Sequence, residues 1–143
     1  MKASKVDVLL VEDSAAEARL AFEALRETQF PVQLHTVSDG AQAMDFLRRR
    51  EPYEDAPRPR LVLLDLNLPR KDGREVLRDI KADEDLRRIP VVVLTTSQAQ
   101  SDIRHAYELY ANCYIQKPLE LDRFIEIVRS IHRYWLEMAL LPG

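Results

Sequence analysis

Cysteine is almost missing from this sequence: Cys113 stands alone, which excludes an internal disulfide, agrees with a reducing compartment, and leaves packing as the expected role of that side chain. Long apolar runs are missing too. Behind Lys2 and Lys5, the first apolar stretch is interrupted by Asp7 and stops at Glu12 and Asp13. It is therefore neither a signal h-region nor a membrane span, and the cytoplasm is the expected compartment. Nor does charge of one sign prevail. The 21 basic and 24 acidic residues leave a net charge of -3, with no basic excess to suggest nucleic-acid binding. There is no internal repeat and no low-complexity linker.

What is present is a globular composition. In 143 residues, 46% are hydrophobic and 31% charged, enough aliphatic material for one core and too little chain for a second full domain. Residues 1–143 are therefore expected to form a single domain. Four short apolar runs stand out: Val6 to Val11, Leu61 to Leu66, Val91 to Leu94 and Cys113 to Ile115, with Gln33 to Val37 a weaker fifth. Runs rich in Val and Leu that do not simply alternate indicate strands covered on both faces, as in a parallel sheet.

Helical patterns lie between the runs. Ser14 and Glu17 have capping-box spacing ahead of Ala18, Ala21, Phe22 and Leu25, which predicts helix one. Further helices are predicted by Ala43, Phe46 and Leu47; by Val76, Leu77 and Ile80; by Ile103, Ala106, Tyr107 and Tyr110; and by Leu121, Phe124, Val128 and Ile131. The segment from Arg48 to Arg60 has three prolines and no apolar period, and reads as an exposed loop. Strand and helix thus alternate five times. Right-handed crossovers make this a doubly wound α/β fold, with its functional loops at the carboxyl ends of the strands.

Three acids collect at that edge if the first and third strands are neighbours: Glu12, Asp13 and Asp65. Three carboxylates repel one another unless their pKa values rise or a cation joins them, and a hard oxygen ligand set suits Mg²⁺. The fourth strand ends in Thr95 and Thr96, hydroxyl donors for a phosphoryl oxygen, and the fifth in Gln116, Lys117 and Pro118, where an ammonium can offset charge. Asp65 is then the nucleophile that forms an acyl phosphate. Asp13, Asp65 and the Asn67 carbonyl would hold Mg²⁺, with Glu12 acting through metal-bound water. The histidines His35, His105 and His132 lack metal-ligand spacing and read as surface or packing residues.

The segments VEDS, LLDLNLPRKDG, VVVLTTS and NCYIQKP, with 30 residues from Asp65 to Thr95 and 52 from Asp65 to Lys117, resemble the receiver domains of two-component response regulators over residues 5 to 131. That resemblance implies a flavodoxin-like five-stranded parallel sheet in the order 2-1-3-4-5. It implies metal-binding acids at Glu12 and Asp13, phosphorylation of Asp65 by a histidine kinase, a switch hydroxyl at Thr95, the phosphoryl-binding lysine at Lys117 and an aromatic switch at Tyr114. Leu68 replaces the family's usual Met, a volume-conserving exchange. The long loop before strand three, the NCYI segment and a tail with Trp and LP also resemble the small response regulators that partner bacterial phytochromes, implying a phytochrome-type kinase.

Apolar positions continue beyond helix five through Ile127, Ile131, Tyr134, Trp135, Met138, Leu140 and Leu141. Residues 132–143 are read as an extension of that helix. A homodimer is expected through helix four, strand five and helix five, with Ile127, Ile131, Tyr134, Trp135 and Met138 on the shared face; the competing expectation is a tail folded onto its own domain. The chain ends 12 residues beyond Ile131, so output is expected through the dimer or a downstream protein. Two other functions are weighed. An aspartyl-phosphate phosphatase of the haloacid dehalogenase type would need a second Asp where Asn67 stands. A receiver-like binding module that takes no phosphate would typically have lost Asp65 or Lys117.

Overall fold

The computed structural model describes residues 5–26 and 31–142; Lys2 and Gly143 lie outside them. Five parallel strands, β1 (Val6–Val11), β2 (Val32–Val37), β3 (Leu61–Leu64), β4 (Val91–Thr95) and β5 (Cys113–Gln116), form one sheet in the order β2-β1-β3-β4-β5. Helices α1 (Ala15–Arg26), α2 (Gly40–Leu47), α3 (Gly73–Ala82), α4 (Gln100–Glu108) and α5 (Leu121–His132) connect and follow them. This is the doubly wound α/β architecture expected from the alternating pattern. Among the described residues, no helix is long and apolar enough to cross a membrane.

Successive strand residues point to opposite faces, and each face has its own core. Leu9, Val11, Val62, Leu64, Val91 and Val93 pack with Phe46 of α2 and Val76, Leu77 and Ile80 of α3. Val8, Leu10, Leu61, Leu63, Val92 and Leu94 pack on the other side with Ala21, Ala24 and Leu25 of α1 and Phe124, Val128 and Ile131 of α5. The inner strands β3 and β4 are buried at every position, whereas the edge strands β2 and β5 are mostly half-covered. This explains why the inner strands read as unbroken apolar runs and β2 as a weak one.

The five helices form where expected, but three of the apolar positions are placed differently from a simple reading of the pattern. Phe22 of α1 is 42% exposed, its ring beneath the Arg19 guanidinium rather than in the core. Tyr110 lies beyond α4 in a left-handed turn, φ 70°, and is largely exposed. Ile131, expected on a shared face, belongs to the protomer's own core at 4% exposure because it points from α5 onto the sheet. The chain does continue helically beyond α5, with π-type hydrogen bonding over Arg133–Met138. Its apolar side chains divide: Ile127, Trp135 and Leu136 pack partly on the core, while Tyr134, Met138 and Leu140 remain exposed. The tail therefore covers part of its own domain, and Leu136, Ala139 and Leu141 reach Val6 and Arg60 around a shared cavity.

The histidines occupy surface or packing positions, as expected. His35 bonds Asp7 at 2.9 Å and tilts against Phe46, buried His132 lies 3.3 Å from Glu137, and His105 is half-buried on α4.

The sheet order reverses between β1 and β3, so a crevice opens at their carboxyl ends. Asp65 N–H donates to the Val11 carbonyl at 3.1 Å, setting the two chain ends side by side. After Asp65 the chain loops out and returns to α3, where Gly73 N–H donates to the Leu66 carbonyl at 3.0 Å. A Cβ at Gly73 would sit 2.2 Å from the Asp65 carbonyl oxygen and 2.6 Å from the Leu66 Cα, so only glycine permits this approach. Gly73→Ala is expected to lower the urea midpoint of unfolding by the equivalent of about 1–3 kcal/mol, the usual range for overpacking; an unchanged midpoint would show that the loop gives way without cost.

Candidate functional site

Glu12 and Asp13 follow β1, and Asp65 follows β3. One carboxylate oxygen from each lies within 4.8 Å of the other two, the juxtaposition expected of neighbouring strands. Glu12 and Asp65 are buried and Asp13 is exposed, so the cluster opens to water on the Asp13 side. An all-oxygen set with one open side fits a hard divalent cation that keeps part of its water.

Each oxygen of Asp65 is held. Oδ1 accepts from the Thr95 hydroxyl at 2.8 Å and the Asn67 N–H at 3.1 Å, and Oδ2 accepts from Lys117 Nζ at 2.9 Å. Thr95, last residue of β4, is fully buried, whereas Thr96 is exposed and takes no part. Lys117 follows β5 and is 4% exposed; its ammonium also donates to Glu12 Oε1 and to Glu17 Oε2 at 2.8 Å. All three ammonium hydrogens therefore have carboxylate acceptors.

Glu17 is the residue that sequence reasoning missed. Half of the expected capping box forms, with Glu17 N–H donating to Ser14 Oγ at 3.2 Å, but the reciprocal bond is made by Glu12, whose Oε2 accepts from Ser14 N–H at 3.1 Å. The Glu17 carboxylate is thereby free to reach Lys117. The available signal was stoichiometric: a buried ammonium needs three acceptors, and the strand-end acids facing it supply two.

The electrostatics follow from burial. Desolvation pushes the Glu12 carboxyl up to about 7, against the opposing influence of Lys117 and the Ser14 N–H. Burial alone would lower the Lys117 pKa, but hydrogen bonds to Glu12, Glu17 and Asp65 outweigh it and hold the ammonium above its ordinary range.

A second network borders the first. The Tyr114 hydroxyl donates to the Ser97 carbonyl at 2.9 Å, and its ring packs against the core. Ser97 Oγ donates to Asp102 Oδ2 at 2.6 Å, and Arg74 of α3 binds Asp102 Oδ1 at 2.9 Å. The Ser97 hydroxyl and Arg74 hold Asp102 below the usual carboxylate range. The loop after Thr95 is thus tied to both Tyr114 and α3. The Arg48–Arg60 segment contributes nothing to either network; Tyr53 packs on Phe46 and Arg58 pairs with Asp85.

Residues 8–129 match the model of the response regulator receiver domain. The chain belongs to that family. Response regulator Rcp1 of Synechocystis sp. is 50% identical over 136 residues, covering 95% of this chain and 92% of the relative. A crystal structure of the phosphorylated cyanobacterial phytochrome response regulator RcpA superposes with a TM-score of 0.95 at 50% identity, covering 98% of this chain and 100% of that one. The Mn²⁺-bound form of Rcp1 gives 0.93 at 49% identity, covering 96% and 99%. The chain is accordingly a two-component response regulator homologous to phytochrome response regulators, and the phosphatase reading falls with that assignment.

With Glu12 titrating higher when folded than when unfolded, the folded receiver binds more protons between about pH 4.5 and 7. The Glu12 contribution is therefore complete below that window and lost as pH rises through it. In metal-free buffer, Glu12→Gln is expected to gain stability relative to wild type from pH 5 to pH 8 in parallel thermal melts. Parallel pH profiles for the two proteins would contradict this.

Proposed function

We propose that Asp65 accepts a phosphoryl group from a histidine kinase, and that Asp13, Asp65 and the Asn67 carbonyl hold Mg²⁺ while Glu12 acts through metal-bound water. The observation that carries this reading is the fixing of both Asp65 oxygens by Thr95, Asn67 N–H and Lys117. One carboxylate oxygen bonds to phosphorus as the bond from phosphorus to the donor breaks, and its electron pair leaves with the donor group. Thr95 and Lys117 donate to the oxygens of the incoming group. Mg²⁺, when bound, supplies charge neutralisation for the transferring group. Both Glu12 oxygens already accept protein hydrogen bonds, which supports its indirect role.

The receiver promotes its own phosphorylation and dephosphorylation and is otherwise no conventional enzyme. In the switched state, Thr95 draws toward the phosphoryl group, and the Ser97 loop and Tyr114 follow it. The surface of α4, β5 and α5 then changes for a partner. A phytochrome-type kinase in the cytoplasm is the proposed donor, in keeping with RcpA. Homodimerisation is proposed through the same surface, where Cys113, Ile115, Ile127, Tyr134 and Trp135 line an apolar groove of about 480 Å³ and Met138 is exposed nearby in sequence. A downstream protein would read the result.

Wild type and Asp65→Asn, incubated with acetyl phosphate with and without Mg²⁺, are to be compared by intact mass and by light-scattering mass on the same samples. One phosphoryl group on wild type alone, dependent on Mg²⁺, is expected, with a dimer mass for the phosphorylated protein. No gain on wild type would favour a binding module that takes no phosphate; a monomer after phosphorylation would refute the dimer.

A further inference from the structure

The Lys117 ammonium has three acceptors, and they differ in what it costs to release them. The side chains of Glu12 and Asp65 are 4% and 8% exposed, whereas that of Glu17 is 35% exposed. Breaking the bond to Glu12 would leave a carboxylate in a water-poor site with one partner fewer, which is expensive. Glu17, on the first turn of α1, can be rehydrated at once. The Ser14 N–H that a capping box would give it is bonded to Glu12 instead, and Lys117 is its ion-pair partner among the described residues. Phosphoryl transfer changes the demand on Lys117. Asp65 gives one oxygen to the new acyl phosphate linkage and loses its carboxylate charge, while the phosphoryl group brings three strong acceptor oxygens. Lys117 can turn further N–H groups to them only by giving up an acceptor, and of the two carboxylates whose charge the transfer leaves unchanged, Glu17 is the more exposed.

We propose that Glu17 is a positioning residue that competes with the phosphoryl group for Lys117 and so acts as a brake on phosphorylation. It occupies an ammonium hydrogen that the phosphoryl oxygens need, and adds a negative charge where a dianionic donor must enter. This inference rests on Asp65 as the acceptor and names the residue that sets how readily it is charged. Loss of Glu17 leaves Lys117 anchored by Glu12 and Asp65, so the lysine keeps its place while the competition disappears.

The test uses full-length wild type, Glu17→Gln and Glu17→Ala with saturating Mg²⁺ and varied acetyl phosphate, reading initial phosphorylation rates by intact mass. One ordinary hydrogen bond corresponds to a factor on the order of fivefold. Glu17→Ala should lower the half-saturating donor concentration by about that factor without reducing the plateau rate, and should slow loss of the phosphoryl group once donor is removed. Glu17→Gln, which keeps an acceptor but loses the charge, should fall between and still reports if the alanine variant fails to fold. A purely structural role would shift the melting temperature and leave the half-saturating concentration where it was, overturning the proposal; so would a higher value in either variant. A wild type that takes no phosphate at all would instead remove the acceptor reading beneath it.

Discussion

A single ammonium group reconciles the acids of this molecule. Lys117 lies among Glu12, Glu17 and Asp65, buried with two of them, and reaches across 105 residues of sequence to the first and 52 to the last. Without a cation there, the strand-end carboxylates would face one another across a crevice with little water, at a cost that their pKa values would have to absorb. The crevice exists because β1 and β3 are neighbours at the point where sheet order reverses, and the lysine arrives because β5 ends at the same edge. The fold and the charge arrangement therefore require each other.

The same arrangement leads outward. Thr95 bonds Asp65, and two residues further on Ser97 bonds both Tyr114 and Asp102, which Arg74 ties to α3. Arg74 follows Gly73, whose close approach to the Asp65 carbonyl fixes the acceptor loop. A change at the acceptor thus meets, within a few covalent and hydrogen bonds, the loop, the aromatic of β5 and the start of α4. These are the parts whose rearrangement would alter the α4-β5-α5 surface.

How much of this could be read in the sequence follows from burial. The inner strands announced themselves because both faces are covered, and the strand-end acids, Thr95 and Lys117 fell into place once those strands were put side by side. β2 was faint because an edge strand keeps polar positions. Glu17 was misread because its spacing from Ser14 satisfies a local rule, and only the three-dimensional approach of Lys117 gives its carboxylate a better partner. Ile131 and Tyr134 look alike in a list of apolar positions, yet one faces the sheet and the other is mainly exposed; helical phase relative to the domain decides that, and periodicity alone does not fix the phase where a helix outgrows its core. The π-type turn over Arg133–Met138 rotates that phase again.

The most direct measurement is the stability of Lys117→Met against wild type in metal-free buffer from pH 5 to pH 8. Removing the ammonium takes away the influence that opposes the rise of the Glu12 carboxyl, so its folded-state pKa moves further above the unfolded one, and stability is kept at low pH and lost as pH rises. A deficit of about 3 kcal/mol or more at pH 8, the usual cost of breaking a buried ion pair, narrowing toward pH 5, is the result this account requires. Equal stability at every pH would contradict it.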